Sequence, residues 1–191
     1  MAKVEDRRRE LATAALQTLG ERGFARTSLR EIAQNSPYSH GVVHYYFADK
    51  VELIIYCVRQ YKAECVTRYD EIVETSSSAE ELAARFAEAL VATMVGDAPM
   101  HRLWYDLRSQ ALFDESLRDA VLEIDASLEH MIWQVISRYG VLRGAGPTMP
   151  SSRAYATFDG VFQQALLRHL SGSQRATDDL RAGALQLLDV V

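Results

Sequence analysis

The stretch that decides the fold is Ser39-His40-Gly41-Val42-Val43-His44-Tyr45-Tyr46-Phe47, with Asp49-Lys50-Val51-Glu52 directly behind it. Ser39 supplies a helix cap, and Val43 and Phe47, four residues apart, fall on one face of the helix it opens. That leaves Ser39, His40, Gly41, Val42, His44, Tyr45 and Tyr46 over the remaining surface, an unusual load of aromatic and hydroxyl groups for a purely structural helix. Upstream, Ser28-Leu29-Arg30-Glu31 reads as a capping box opening a short helix with Leu29, Ile32 and Ala33 inward. Ser36-Pro37 ends that helix after about two turns. Two short helices joined by a tight proline-containing turn, the second presenting polar and aromatic groups, form the layout of a helix-turn-helix, whose later helix lies in the major groove of DNA.

The rest of the chain is punctuated into helices in the same way. Leu11, Ala12, Ala15, Leu16 and Leu19 place one apolar stripe on a first helix from about Glu5 to the glycines Gly20 and Gly23. Asp49 to Glu52 caps a fourth helix with Leu53, Ile54, Cys57, Val58, Tyr61 and Cys65 inward, predicted to persist to about Glu74. Further helices are predicted from Ser78 to Gly96, Pro99 to Phe113 and Asp114 to Tyr139, the last ended by Gly140. Gly140 to Pro150 is a loop by composition, and two helices, Ser152 to Leu170 and Thr177 to about Asp189, close the chain. No window alternates with period two, so the fold class is all-α, with about nine helices.

The 191 residues are 48% hydrophobic, enough for a packed core. No apolar leader follows Met1, and the longest apolar run, Leu53 to Val58, is far too short to span a bilayer, so a cytoplasmic protein without a membrane partner is expected. Cys57 and Cys65, eight apart on one helix, should have Cα atoms about 12 Å apart at 1.5 Å per residue. That exceeds the roughly 7 Å a disulfide can bridge, and reduced, packed thiols are expected. The net charge of -5 is divided unevenly: residues 1–50 carry 8 basic and 6 acidic side chains, residues 51–191 carry 13 and 20. An acidic body with a locally basic tip is compatible with nucleic acid.

The stretch Ile32-Ala33, then Ser39 to Phe47, then Lys50 and Leu53, resembles the signature of the tetracycline-repressor (TetR) family, and the likeness extends back through Phe24 and Ser28-Leu29-Arg30. About fifty residues carry it, and the helical body agrees in length and element order. The resemblance implies a helix-turn-helix DNA-binding domain over 1–48 and a helical ligand-binding and dimerisation domain over 49–191. Carried across by position, it implies phosphate contacts from Ser28, Ser39, Tyr45, Tyr46 and Lys50. Base reading would fall to Arg30, Tyr38, His40, Val42 and His44, with Gly41 allowing close approach. The chain departs from the family's habit at Pro37-Tyr38, where Gly-Val is usual, and at His40 and Val42, where Lys and Thr are common.

Several of these residues also have ordinary readings. Ser28 caps a helix whether or not it touches phosphate, Tyr46 can pack beneath its helix, and Arg7 to Arg9 are either a solvated face or a track along the backbone. His40 and His44 have the spacing of a metal pair, but no glutamate follows His40 as in H-E-x-x-H and no third ligand is near, so no metal and no cofactor are expected.

The body carries no glycine-rich phosphate loop, nucleophile elbow or carboxylate constellation, and an enzyme is not expected. His101, Trp104, Tyr105 and Arg108 share one helical stripe, while His130, Trp133, Phe158, Phe162 and His169 come from later helices. The resemblance implies an effector cavity in this region, and His101, Trp104, Tyr105, Arg108, His130, Trp133, Phe158 and Phe162 are its candidate lining. Arg108 and His130 are its polar candidates; Trp104 and Phe158 equally suit a plain core. The last two helices are apolar on more than one face, through Tyr155, Phe158, Val161, Phe162, Ala165, Leu166 and Leu170, then Leu180, Ala184, Leu185, Leu187 and Leu188. Such helices need a second partner, and the expected one is the same pair from another protomer. The partners anticipated are therefore palindromic operator DNA, a small amphipathic effector and a second copy of the chain, with a repressor implied by family habit.

Overall fold

A computed structural model describes residues 2–23 and 27–190; Phe24, part of the resemblance above, lies outside them. Regular structure among the described residues is helical, without strands. The helices are α1 (Ala2–Arg22), α2 (Leu29–Gln34), α3 (His40–Tyr46), α4 (Lys50–Thr67), α5 (Asp70–Thr75), α6 (Ala79–Gly96), α7 (Ala98–Gln110), α8 (Arg118–Arg143), α9 (Ser151–Leu170) and α10 (Ala176–Val190), with a 3-10 turn at Glu115–Leu117. None of them is long and apolar enough to cross a membrane.

The chain forms two compact units, one of Met1–Lys62 with Pro99–Glu123, the other of Ala63–Ala98 with Ile124–Val191. In the first, α1 buries Leu11, Ala12, Ala15 and Leu19, the stripe its periodicity marked. Against them α4 buries Leu53, Ile54, Cys57 and Val58, and the Cys57 thiol lies 3.6 Å from the Ala12 carbonyl oxygen. Burial in this apolar contact pushes the Cys57 thiol up, so it stays protonated at neutral pH. Both cysteines are free and buried.

In the second unit α6, α9 and α10 pack against one another. Ser78 caps α6 by accepting from the Glu81 amide at 3.1 Å. Phe86 of α6 stands edge-on to Phe158 of α9 at 5.7 Å and to Tyr69 at 5.6 Å. Gly183 of α10 lets α9 approach closely, since a Cβ there would come within 2.9 Å of a Val161 methyl.

Several helix ends differ from the sequence reading: α7 closes at Gln110 rather than Phe113, α8 opens at Arg118 rather than Asp114, and two further ends differ for reasons the structure shows. The fourth helix does not persist to Glu74: it closes at Thr67, and α5 begins at Asp70. The amides of Arg68 and Tyr69 bond three residues back, to Cys65 and Val66, which tightens the last turn. The break turns Tyr69 into the core, 3% exposed, and swings Arg68 onto Asp97 at 2.5 Å and Thr93 at 2.8 Å. Neither glycine nor proline marks the spot, so the break is tertiary in origin. The helix expected to stop at Gly140 runs instead to Arg143 and stops at Gly144, whose φ of 72° is the left-handed conformation that ends helices. Gly140 is small for another reason: a Cβ there would sit 2.5 Å from the Ala145 carbonyl oxygen of the returning loop.

Candidate nucleic-acid interface

The helix-turn-helix is built almost wholly from local hydrogen bonds. Ser28 and Glu31 form a reciprocal capping box, with Ser28 Oγ accepting from the Glu31 amide at 3.2 Å and Glu31 Oε2 accepting from the Ser28 amide at 2.9 Å. Arg22 adds an ion pair to Glu31 at 2.7 Å. These donors, chiefly the Ser28 hydroxyl and amide, hold the Glu31 carboxyl below the usual glutamate range. A carboxyl depressed in the folded state contributes stability above its unfolded value, near 4.3, and loses it as the pH falls through the folded value. Circular dichroism in acid is therefore expected to show Glu31→Gln losing less between pH 5 and pH 3, about the window of carboxylate titration, than the parent chain does.

Between the two helices Ser36 does the turning. Its hydroxyl donates to the Ala33 carbonyl at 3.3 Å and accepts from the Tyr38 amide at 3.3 Å, flanking Pro37, which has no amide to satisfy. Ser39 then caps α3, accepting from the Val42 amide at 3.3 Å. Val43 and Phe47 are buried at 1% and 0% exposure, the anchors their spacing marked. His40, Gly41, His44 and Tyr45 are exposed, Tyr45 by 80%, and Val42 and Tyr46 are half-buried. The imidazoles of His40 and His44 meet edge to face at 4.4 Å, as do the rings of Tyr45 and Tyr46 at 4.9 Å.

The other sequence candidates flank this face. Ser28 and Arg30 are exposed on α2 and its cap, and Lys50 is half-buried at the start of α4. The Tyr38 hydroxyl donates to Glu10 of α1 at 3.3 Å, and the Arg7 guanidinium lies 5.5 Å from the centre of its ring.

Arg8, read in the sequence only with Arg7 and Arg9 as a solvated face or a track along the backbone, has a structural role that this reading did not include. Its guanidinium stacks 4.6 Å from the Phe47 ring centre and 5.0 Å from that of Tyr56, and donates to Glu52 at 2.7 Å. The other Glu52 oxygen accepts from the Ala48 amide at 2.8 Å, so Arg8 and Glu52 together clamp the corner between α3 and α4. The signal was present: Arg8, Leu11, Ala12 and Ala15 share the inward face of α1. Tyr56 beside it donates to Glu5 at 2.7 Å, and partial burial together with that carboxylate pushes its phenol up to about 12.

The predicted effector-lining residues separate between the units. His101, Trp104 and Tyr105 are buried in the first, with Arg108 half-buried. In the second, Phe158 and Phe162 are buried, Trp133 is half-buried and His130 is exposed on α8. Phe158 joins the Phe86 and Tyr69 rings described above. His101 and Trp104 are joined by a residue the sequence reading missed, Lys62, which is 5% exposed although lysine is seldom buried without a reason. Its position four past Val58 and three before Cys65, on the inward stripe of α4, could have betrayed it. The Trp104 indole nitrogen is buried with no hydrogen-bond partner, which costs about 1 to 3 kcal/mol. Among the described residues no group of three metal-ligating side chains converges.

Comparison with known proteins places this geometry. The family "Bacterial regulatory proteins, tetR family" matches residues 11–57, from the α1 stripe through α4's Cys57. The HTH-type transcriptional regulator PksA of Bacillus subtilis is 23% identical over 164 residues, covering 85% of this chain and 80% of its own length. The HTH-type transcriptional regulator BetI of Burkholderia mallei is 30% identical over 118 residues, 60% of this chain, and the match spans 59% of that relative. Among solved structures, the Bacillus subtilis regulator FadR in complex with stearoyl-CoA superposes with a TM-score of 0.77 at 18% identity, covering 94% of this chain and 96% of its own. A putative transcriptional regulator of Saccharomonospora viridis in complex with choline gives 0.78 at 17%, covering 97% and 96%. These relatives are transcriptional regulators, not enzymes. The family match falls on the residues that build the capped α2, the serine-braced turn and the exposed face of α3, and the helix-turn-helix of residues 11–57 is that of the tetR family of bacterial regulatory proteins, in a chain similar to helix-turn-helix transcriptional regulators.

Proposed function

We propose that the protein is a cytoplasmic, ligand-responsive repressor that binds a palindromic operator as a homodimer and leaves it when a small amphipathic molecule binds. The observation that carries the reading is α3, held from beneath by Val43 and Phe47 while His40, Gly41, His44 and Tyr45 face outward. The DNA-reading part is residues 1–48, and 49–191 senses and dimerises. Arg30, Tyr38, His40, Val42 and His44 read base edges, and Ser28, Ser39, Tyr45, Tyr46 and Lys50 meet the phosphate backbone.

Dimerisation through α9 and α10 is supported by the apolar side chains they leave outward: Leu167 at 66% exposure, Leu170 at 45% and Leu185 at 37%, with Val161 and Leu187 half-buried. Two-fold pairing of such faces would set two copies of α3 one helical turn of DNA apart, or a multiple of it. Effector responsiveness is supported by the buried polar and aromatic groups around His101 and Trp104, and by the stearoyl-CoA and choline bound to two proteins of the same fold. Effector and operator would then be reciprocally coupled, typically by about 1 to 3 kcal/mol.

One assay tests both halves. Purified protein should select palindromic fragments from a random DNA pool, and fractions of a metabolite extract should release them by about 5- to 150-fold in affinity. Selection of no sequence would sink the DNA-reading assignment. Selection with no releasing fraction would leave a DNA-binding protein of this fold that does not respond to a ligand.

A further inference from the structure

Besides the stripe it buries against α1, α4 carries a second apolar line. Its Val51 and Ile55, both half-buried, join Ala120 of α8 in lining a cavity of about 440 Å³ that lies within the first unit. That volume falls in the range of about 300 to 1,000 Å³ usual for small-molecule sites. The rest of the wall is charged. Arg8 and Arg59 stand on it with their charges already paired inside the chain, Arg8 with Glu52 at 2.7 Å and Arg59 with Glu123. Glu52 is spent as well, since its second oxygen accepts from the Ala48 amide. Two carboxylates are left over. Asp49 commits Oδ1 to the Glu52 amide at 2.8 Å, and Asp119, exposed in the first turn of α8, meets no partner among the described residues. The aromatic ring on the wall, Tyr56, already carries the Arg8 guanidinium 5.0 Å from its centre, so it offers no cage to a quaternary ammonium.

We infer that this cavity takes the effector and that the effector is a primary amine on a short apolar body, its ammonium held by Asp119 and Asp49 and its body laid over Val51, Ile55 and Ala120. The inference rests on the effector-responsive reading above and gives that effector a place and a chemical class. A primary ammonium brings three donors and no acceptor, the complement of carboxylates whose oxygens are still open. Its effect on DNA would be short-range. Asp49 and Glu52 cap the start of α4, and Arg8 stacks on Phe47 beneath α3. An ammonium seated in this cavity competes with Arg8 for Glu52 and loosens the corner that aims α3.

The test is calorimetric titration of the full chain. The probes are butylamine, hexylamine, benzylamine and phenethylamine, each with the alcohol of the same skeleton, together with choline and hexanoate. At least one amine is expected to bind saturably, with its alcohol bound at least about 10-fold more weakly, a difference of one charge-assisted contact. Asp119→Asn should weaken that amine by about 10-fold or more while the melting temperature stays within about 2 °C of the parent, because an exposed side chain without a partner has no contact to lose. If that variant melts lower, the salt dependence of the parent chain decides. Raising salt from about 50 to about 500 mM should weaken the amine and leave the alcohol unchanged, and an amine indifferent to salt is the contrary result. Binding of no amine, equal binding of amine and alcohol, tighter binding of choline or hexanoate, or full affinity in Asp119→Asn would each overturn the inference. An amine that binds but leaves operator DNA in place supports the cavity as an amine site and counts against the effector-responsive reading. Release of the DNA by choline or hexanoate alone keeps that reading and overturns the amine site.

Discussion

Phe47→Ala is expected to lower the melting temperature by about 10 °C and to abolish sequence-specific DNA binding. The ring is wholly buried and is the second of only two anchors beneath α3. Truncating a buried phenylalanine costs about 3 to 5 kcal/mol, and in a chain of this size each kcal/mol is worth about 2 to 4 °C. The loss here is not confined to packing, because Arg8 stacks on the same ring and holds Glu52, which in turn caps Ala48. Removing the ring strips the guanidinium of its platform and loosens the corner that sets the direction of α3. Arg8→Met separates the parts: it should retain most of the stability lost in Phe47→Ala, yet reduce operator affinity. A Phe47→Ala chain melting within about 2 °C of the parent would show that α3 is held by something other than this pair.

The second large effect is expected on specificity. His44 is exposed on the outward face of α3, one turn beyond His40 and edge-on to it. If His44 meets a base edge, His44→Ala should weaken the selected operator by about 1 to 3 kcal/mol, roughly 5- to 150-fold, and leave unrelated DNA nearly untouched. Lys50→Ala should behave oppositely, weakening all sequences alike and reducing the salt slope by about one. Fluorescence anisotropy on operator and scrambled duplexes over a salt series measures both. Equal losses on both duplexes for His44→Ala would remove it from the base-reading set.

The parts of the fold written in local chemistry were legible in the sequence. Ser28 with Glu31, Ser39, and Ser78 with Glu81 announced their helices because each cap is complete within four residues. The α1 and α4 stripes announced their inward faces for the same reason. What could not be read was decided by distant groups. The break between α4 and α5 follows from burying Tyr69 beside Phe86 and pairing Arg68 with Asp97, and nothing local marks it. Gly140 and Gly144 look alike in sequence, yet one is small to let a loop cross and the other to turn left-handed. In the candidate site the outward residues of α3 were legible by subtraction from Val43 and Phe47. Arg8 and Lys62 were hidden because charged residues are assigned to solvent by default, although each lies on an otherwise apolar stripe.

Tyr38 sets a limit on how this regulator can be recombined. Its hydroxyl is held by Glu10, its ring faces Arg7, and Arg7 and Glu10 pair with each other at 2.6 Å. The reading element is therefore tied to the first helix as well as to its neighbour in sequence. Residues 37–46 grafted into another regulator would arrive without their bracing, whereas a transplant that begins before Arg7 would carry it along. The heritable unit of DNA preference in this protein begins near its N-terminus, some thirty residues ahead of the side chains assigned to read the bases.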